Sequence, residues 1–294
     1  MNRRSFLLSA SATLLMNPAQ AQGTGDVVAS MSIIADLVQQ VGGARVSVAS
    51  LVGPGGDAHV FQPSPADARR VAQARALFVN GLGIEGWLPR LVQASGGKAT
   101  VVTVSTGVKP IRDDAEGGAH GVDPHAWQDV GNAKLYVENI RAALTEVDPA
   151  GEAEYAQRAK DYSASLDQLD ADIRAGIATI PAARRRIITS HDAFGYFAKA
   201  YGLTFIAPQG VSTESEASSR DVARIIRQIK AEKIPAVFLE NISDPRLMSQ
   251  VARETGAKLG ARVFSDSLSE KDGPAPTYAS MMRHNLNAFV EALR

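Results

Sequence analysis

His59 and His191 follow apolar segments of the kind that form β-strands, His125 follows a Gly-rich loop, and one carboxylate also follows a strand-like segment. His59, His125 and His191 lie far apart in the chain, and Asp266 follows the apolar segment 261–264. Imidazole nitrogens and a carboxylate oxygen are ordinary ligands of divalent transition metals. A single histidine of this kind is more often a surface or hydrogen-bonding residue, so the prediction depends on the four side chains meeting.

Their predicted positions favour such a meeting. The carboxyl ends of parallel strands lie at one edge of a sheet, and open α/β sheets bind their ligands there. Two of the four residues come from each half of the chain, which suggests a cleft between two sheets. Three imidazoles and one carboxylate would complete a tetrahedral shell. The chain has no cysteine, so any metal site must use His, Asp or Glu.

Alternating strand and helix patterns in both halves predict the elements that would hold these residues. Such alternation is typical of an α/β fold with mainly parallel sheets covered by helices. We expect two similar lobes, with no short sequence repeat between them. The predicted strands are 27–30, 46–52, 76–79, 100–104, 186–190, 204–207, 236–239 and 261–264.

A long helix is predicted between the two halves. Asp148 and Pro149 have the residue types of an N-cap and a first helical position, and apolar residues then recur at spacings of three and four from Tyr155 to Ile177. We interpret this helix as a rigid strut that disfavours large hinge closure. The predicted lobes are residues 22–148 and 182–294, with residues 149–181 as the linking helix.

The first 21 residues have the three-part order of a signal peptide. A basic Arg3-Arg4 pair precedes a short apolar stretch, and a small-x-small site ends at Ala21, so we expect cleavage there and export to the periplasm. The paired arginines also resemble a twin-arginine export signal. The remaining chain is slightly acidic, which gives no indication of nucleic-acid binding.

Together, these motifs resemble the zinc/manganese-type solute-binding proteins of ABC importers, often called cluster A-I. The resemblance covers nearly the whole exported chain, and the segments that carry it are 57–64, 123–127, 189–194, 211–216 and 264–269. It implies two α/β lobes bridged by one long helix, with the ion between them. It also implies the ligands His59, His125, His191 and Asp266, and a permease in the inner membrane as partner.

The third ligand position favours zinc over manganese. In manganese members of the family this position is often Glu, whereas here it is His191. One departure concerns the loop before the second ligand, which is His-rich in many zinc members but holds the single His120 here. We interpret Glu214, Glu216 and Glu240 as loop hydrogen-bonding or supporting carboxylates, and His284 as a solvent-side residue.

Other functions are open at this point. A zinc hydrolase could use three histidines and an aspartate with an open coordination position, although the chain has no His-Glu-x-x-His motif. A periplasmic metal store, a surface adhesin or a binder of chelated iron or an organic solute are further alternatives. We expect a monomer that is not an enzyme, with a periplasmic metallochaperone as a further candidate partner.

Overall fold

The computed structural model describes residues 26–97, 99–112 and 121–294. The predicted signal peptide, residues 1–21, and His120 lie outside the described residues. Over the described ranges, no helix combines the length and the apolar character that a membrane span requires.

The first half of the chain forms a four-stranded parallel sheet in the order β2-β1-β3-β4. Its strands are β1 (Asp26–Met31), β2 (Ser47–Val52), β3 (Ala76–Val79) and β4 (Thr100–Thr103). The helices up to the end of the linker are α1 (Ser32–Gly42), α2 (Pro65–Gln73), α3 (Leu88–Ala94), α4 (Val130–Val147) and α5 (Glu152–Ala178).

The second half repeats this architecture with a parallel sheet in the order β6-β5-β7-β8. Its strands are β5 (Arg186–Ile188), β6 (Thr204–Ile206), β7 (Ala236–Val237) and β8 (Lys258–Leu259). Its helices are α6 (Gly195–Tyr201), α7 (Ser219–Glu232), α8 (Pro245–Thr255) and α9 (Tyr278–Leu293). The predicted α/β fold with two similar parallel sheets is therefore confirmed.

The strand order of each sheet explains where side chains can converge. From β1 the chain moves to one neighbour, β2, and then returns to the other side for β3. Strands β5, β6 and β7 follow the same pattern. Connections that leave in opposite directions create a crevice at the carboxyl ends of the central strands, and this crevice is where α/β proteins place ligands.

Helix α5 lies within the segment that the sequence analysis proposes as a linking helix, and its apolar stripe is buried. It packs against α1 and α4 from the first half and against α9 from the second. At about 1.5 Å per residue, its 27 residues span roughly 40 Å. The buried residues are Tyr155, Ala159, Leu166, Leu169, Ile173 and Ile177.

The predicted cap of this helix is wrong in detail. Pro149–Gly151 forms a separate 3-10 turn, and the Asp148 side chain makes no capping hydrogen bond. Its carboxylate instead accepts hydrogen bonds from Arg45 Nε and Nη2 at 3.0 and 2.9 Å and from Tyr155 Oη at 2.6 Å. Asp148 is buried, so pairing with a guanidinium and a phenol satisfies a charge that would otherwise be costly to bury.

Two further elements differ from the prediction. Helix α4 is not among the predicted elements, although its buried residues recur at helical spacings. The last strand, β8, lies at Lys258–Leu259 instead of 261–264, and Val263 makes only an isolated parallel bridge to Glu240. Between them, Gly260 lies so close to the Phe238 ring that a Cβ atom would fall 2.3 Å from it. The backbone stays bonded to the neighbouring segment, because the N–H groups of Gly260 and Val263 donate to the Val237 and Leu239 carbonyls, each at 2.8 Å.

Candidate metal centre

His59, His125, His191 and Asp266 converge on one buried point. Their potential ligand atoms all lie within 4.8 Å of one another. The Nε2 atoms of His59 and His191 lie 3.3 and 3.2 Å from Asp266 Oδ2, and Nε2 of His125 lies 3.4 Å from Asp266 Oδ1. The Nε2 atoms of His59 and His125 are 3.3 Å apart. The structure thus brings together all four residues that the sequence analysis selects.

The turn that carries His59 follows strand β2 and is held at both of its sides. The His59 backbone N–H donates to Asp57 Oδ1 at 2.8 Å, which is an Asx turn. Trp87 Nε1 donates to the Ala58 carbonyl at 2.7 Å, and the Trp87 ring makes an edge contact with Phe61. These contacts fix the backbone on either side of His59.

His125 is oriented by Asp123, which stands two residues before it. Asp123 Oδ1 accepts from the His125 backbone N–H at 2.9 Å and lies 2.8 Å from its Nδ1. The peptide between them is held by Asn80 Nδ2, which donates to the Pro124 carbonyl at 2.9 Å. A carboxylate on Nδ1 fixes the ring orientation and leaves Nε2 as the free ligand atom.

His191 has an equivalent carboxylate partner that comes from the neighbouring strand. His191 follows β5, and Glu240 follows β7, which pairs with β5. Glu240 Oε1 accepts from the backbone N–H groups of Ser190 and His191 at 2.7 and 2.9 Å, while Oε2 lies 2.5 Å from His191 Nδ1. Glu240 is thus a supporting residue of this site, as the sequence analysis suggests.

The segment around Asp266 belongs to the second half of the chain but is bonded to the first half. Ser32 Oγ accepts from the Leu268 N–H at 3.0 Å, and the Ser265 carbonyl accepts from Trp127 Nε1 at 2.9 Å. Further bonds between the halves are Gly55 N–H to the Leu268 carbonyl and Gln128 Nε2 to the Ser265 carbonyl. Each half thus supplies two of the four side chains, and the Asp266 segment also keeps bonds within its own half, such as Phe264 N–H to Asn285 Oδ1 at 2.9 Å.

Neighbouring buried charges shift the pKa values of three residues in the centre. Burial opposes protonation of His125, but Asp266 and Asp123 outweigh it and raise its pKa to about 9. Burial also lowers the pKa of His191, yet Glu240 and Asp266 hold this pKa well above its ordinary value. Burial raises the pKa of Asp266, and the two imidazoles outweigh it and hold that pKa well below its usual range. The carboxylates therefore attract positive charge to this point.

The donor set fits a bound cation. Both carboxylate oxygens of Asp266 and Nε2 of His191 are buried without a hydrogen bond of good geometry. Buried polar atoms are nearly always satisfied in native proteins, because leaving them unpaired is costly. A divalent ion among the three Nε2 atoms and Asp266 would satisfy these atoms together.

The other candidate residues lie elsewhere. Glu214 and Glu216 are exposed, and the Glu214 N–H bonds only within its own loop, to Ser212 Oγ. His284 is half-buried, with its Nε2 2.8 Å from the Arg262 carbonyl oxygen. Neither glutamate contacts the centre through the hydrogen bonds or ion pairs that the structure records.

The sequence analysis assigns no role to Asp57 or Asp123, although the sequence carried a signal for both. The pattern Asp-x-His occurs at Asp57–His59 and again at Asp123–His125. In both places the aspartate accepts from the histidine backbone N–H. The repeat indicates two turns of the same kind, each of which presents a histidine.

Two parallel α/β halves that enclose three imidazoles and a carboxylate, joined by one long helix, have the architecture of a cation-binding protein. Comparison with known proteins defines the class further. Residues 27–292 match the family described as zinc-uptake complex component A periplasmic. The chain belongs to this family of periplasmic metal-binding proteins of ABC metal importers, as the sequence motifs indicate.

Named relatives agree on the class and differ in the metal. The chain is 34% identical over 288 residues to the iron-binding protein YfeA of Yersinia pestis, which covers 98% of this chain and 92% of that relative. It is 33% identical over 275 residues to the manganese ABC transporter substrate-binding lipoprotein PsaA of Streptococcus anginosus, covering 91% and 88% of the two chains. The solved structure of the periplasmic zinc binding protein TroA from Treponema pallidum superposes with a TM-score of 0.86 and 32% identity, covering 92% of this chain and 99% of that one.

Proposed function

We propose that this protein captures a divalent transition-metal ion in the periplasm and delivers it to an ABC importer. The convergence of four buried ligand atoms between the two halves is the observation that carries this proposal. Membership of the family supports the transport role. The partners in the proposal are a membrane permease and its ATPase, with a periplasmic metallochaperone as an additional candidate donor.

We infer that His59, His125, His191 and Asp266 are the ligands and that zinc is the preferred ion. Zinc favours imidazole nitrogen and four-coordinate geometry, and this centre offers three imidazoles and one carboxylate. Two of the imidazoles are supported on Nδ1 by Asp123 or Glu240, which is the usual arrangement around histidine ligands.

Manganese is the alternative, and one feature of the centre favours it. Both oxygens of Asp266 face the imidazole Nε2 atoms, at 3.2 to 3.4 Å. A carboxylate that binds through both oxygens would raise the coordination number to five. Manganese accepts higher coordination and more oxygen ligands than zinc does.

A hydrolytic function has less support. The relatives named above are binding proteins, and an exposed fraction of 7% or less for each of the four ligands leaves little access for a substrate. A catalytic zinc site keeps an open position for water or substrate. We infer a binding protein that acts as a monomer.

The proposal also covers the export of the protein and the division of the exported chain into two lobes. Cleavage after Ala21 would release the protein into the periplasm, by the general or the twin-arginine route. Residues 22–148 and 182–294 would then form the two lobes, with residues 149–181 between them. The two separate sheets support this division.

The metal preference is tested by His191→Glu. This change replaces one nitrogen donor with oxygen, so we expect the zinc-to-manganese affinity ratio to fall by about tenfold or more, the size of effect that a changed ligand environment produces. Direct competition of the two ions, followed by metal analysis of the dialysed protein, measures the ratio. Equal affinity of the wild-type protein for both ions would contradict the zinc preference and leave metal capture intact. Glu232→Gln, at an exposed ion pair with Arg186, is the control.

A further inference from the structure

The four side chains of the metal centre differ in how firmly they are enclosed. His125 and His191 are fully buried, Asp266 is 1% exposed and His59 is 7% exposed. The Nδ1 atoms of His125 and His191 contact buried carboxylates, whereas the hydrogen bond at the His59 turn goes to its backbone N–H. His59 is therefore the ligand nearest to solvent.

The two sides of the centre are also closed differently. On the side of Asp266, several hydrogen bonds join the halves, including Leu268 N–H to Ser32 Oγ and Trp127 Nε1 to the Ser265 carbonyl. On the side of His59, a loop of the second half, residues 209–215, lies against the His59 turn. Hydrogen bonds thus join the halves on the side of Asp266, and the 209–215 loop lies beside the His59 turn on the other side.

The 209–215 loop is anchored to the segment that carries His191. Gln209 forms a parallel bridge with His191, and the Asp192 N–H donates to the Gly210 carbonyl at 3.2 Å. Gln209 Nε2 donates to the Ser215 carbonyl at 2.7 Å, which closes the loop on itself. The loop is therefore a compact unit that extends from the His191 segment.

One hydrogen bond joins this loop to the His59 turn. Thr213 Oγ1 donates to Asp57 Oδ2 at 2.6 Å, and the other oxygen of the same carboxylate accepts from the His59 N–H at 2.8 Å. Asp57 thus connects the backbone of a metal ligand in the first half to a hydroxyl in the second half. A surface cavity of about 580 Å³ lies beside this contact, and Asp57, Ser190 and Thr213 are among its lining residues.

We propose that Thr213 and Asp57 form a clasp that positions His59 and sets the rate at which the ion leaves. This inference rests on the proposed function. With the hydrogen bond made, the His59 turn and the 209–215 loop close the centre on its solvent side. With the bond broken, the His59 turn can move away while His125, His191 and Asp266 keep their own supports. The ion then leaves through the cavity beside Asp57.

The test is the release rate of zinc from Thr213→Val. Protein loaded with one equivalent of zinc is mixed with an excess of a chromogenic chelator, at concentrations where the rate no longer depends on the chelator. We expect release about tenfold faster than in the wild type, because a hydrogen bond to a charged group is lost. Thr213→Ser keeps the hydroxyl and should release zinc at nearly the wild-type rate. Thr106→Val, at an exposed hydroxyl that bonds the Thr103 carbonyl, is the matched control and should not change the rate.

A double-mutant comparison tests whether Thr213 acts through Asp57. Thr213→Val should add no further acceleration to Asp57→Ala, because the acceptor is already absent. Three results would each overturn the clasp. Thr213→Val could release zinc at the wild-type rate, or Thr213→Ser could release it as fast as Thr213→Val does. The effects of Thr213→Val and Asp57→Ala on the release rate could also be fully additive. A wild-type protein that takes up no zinc would contradict the proposed function itself, so the two failures are distinguishable.

Discussion

Supporting carboxylates determine which nitrogen of each buried imidazole can bind an ion. Asp123 and Glu240 contact Nδ1 of His125 and His191, so the Nε2 atoms face Asp266. Glu240 also accepts from two backbone N–H groups, and these bonds fix its own position. Ring orientation is therefore determined before any ion binds, which reduces the cost of organising the site.

The same carboxylates make metal binding dependent on pH. In the metal-free protein His125 has a pKa of about 9 and His191 a pKa well above its ordinary value, so both carry protons at neutral pH. An ion must displace these protons, and each displaced proton lowers the apparent affinity by about tenfold for every unit that the pH falls. We therefore expect zinc affinity to fall steeply as the pH is lowered from about 8 to about 6.

Competition titrations across this range measure the dependence. Calorimetry at neutral pH, in two buffers of different ionisation enthalpy, counts the protons released. We expect about two protons for each zinc ion bound, since two ligands are protonated beforehand. Affinity that does not change with pH, together with no proton release, would argue against imidazole ligands.

At the residue scale, the sequence predicts much of the centre. His59, His191 and Asp266 could be selected because each follows a strand-like segment, His125 because it follows a Gly-rich loop, and the resemblance grouped the four. The contribution of Glu240 depends on the pairing of β5 with β7, which brings residues 191 and 240 together. The contact between Thr213 and Asp57 spans 156 positions. Such pairings are set by tertiary packing and leave no local pattern in the sequence.

At the scale of elements, helix α5 contacts both halves of the chain. It contains no proline between Glu152 and Ala178, and its buried stripe packs against helices of both halves. Sharp bends in helices need a local cause, such as proline or an inserted group. We therefore expect the helix to act as a strut.

We therefore expect small-angle scattering of the metal-free and zinc-loaded proteins to give nearly the same radius of gyration. Any change on binding would be confined to loops such as residues 209–215. His191→Ala, which removes a ligand, serves as the control, because zinc should not alter its curve. A clear decrease in the radius of gyration of the wild-type protein on zinc binding would contradict the strut.

Regular apolar spacing predicts helix α5, whereas a contact between residues distant in sequence decides what Asp148 binds. The apolar stripe predicts the two ends of α5 to within a few residues. Helix α4 has an equally clear periodicity, but it was not predicted. The last strand lies before the predicted segment, and Val263 within that segment keeps only an isolated bridge to Glu240. The Asp148 cap was replaced by pairing with Arg45, 103 positions away.

At the scale of the whole molecule, the centre combines residues from four separate segments. The segments around His59 and His125 belong to the first half and those around His191 and Asp266 to the second, and hydrogen bonds join the Asp266 segment to the first half. An ion held by all four would link the two halves directly. Metal binding is therefore expected to depend on every one of the four segments.

Zinc titration of the wild-type protein and of four single alanine variants tests this account most directly. The account predicts one zinc ion per chain for the wild type. It predicts a loss of about 100-fold or more in affinity for each of His59→Ala, His125→Ala, His191→Ala and Asp266→Ala, since each removes one ligand from a buried site. His284→Ala, outside the centre, should bind as the wild type does. Wild-type affinity in any two of the four ligand variants, or no zinc bound by the unaltered chain, would contradict the account.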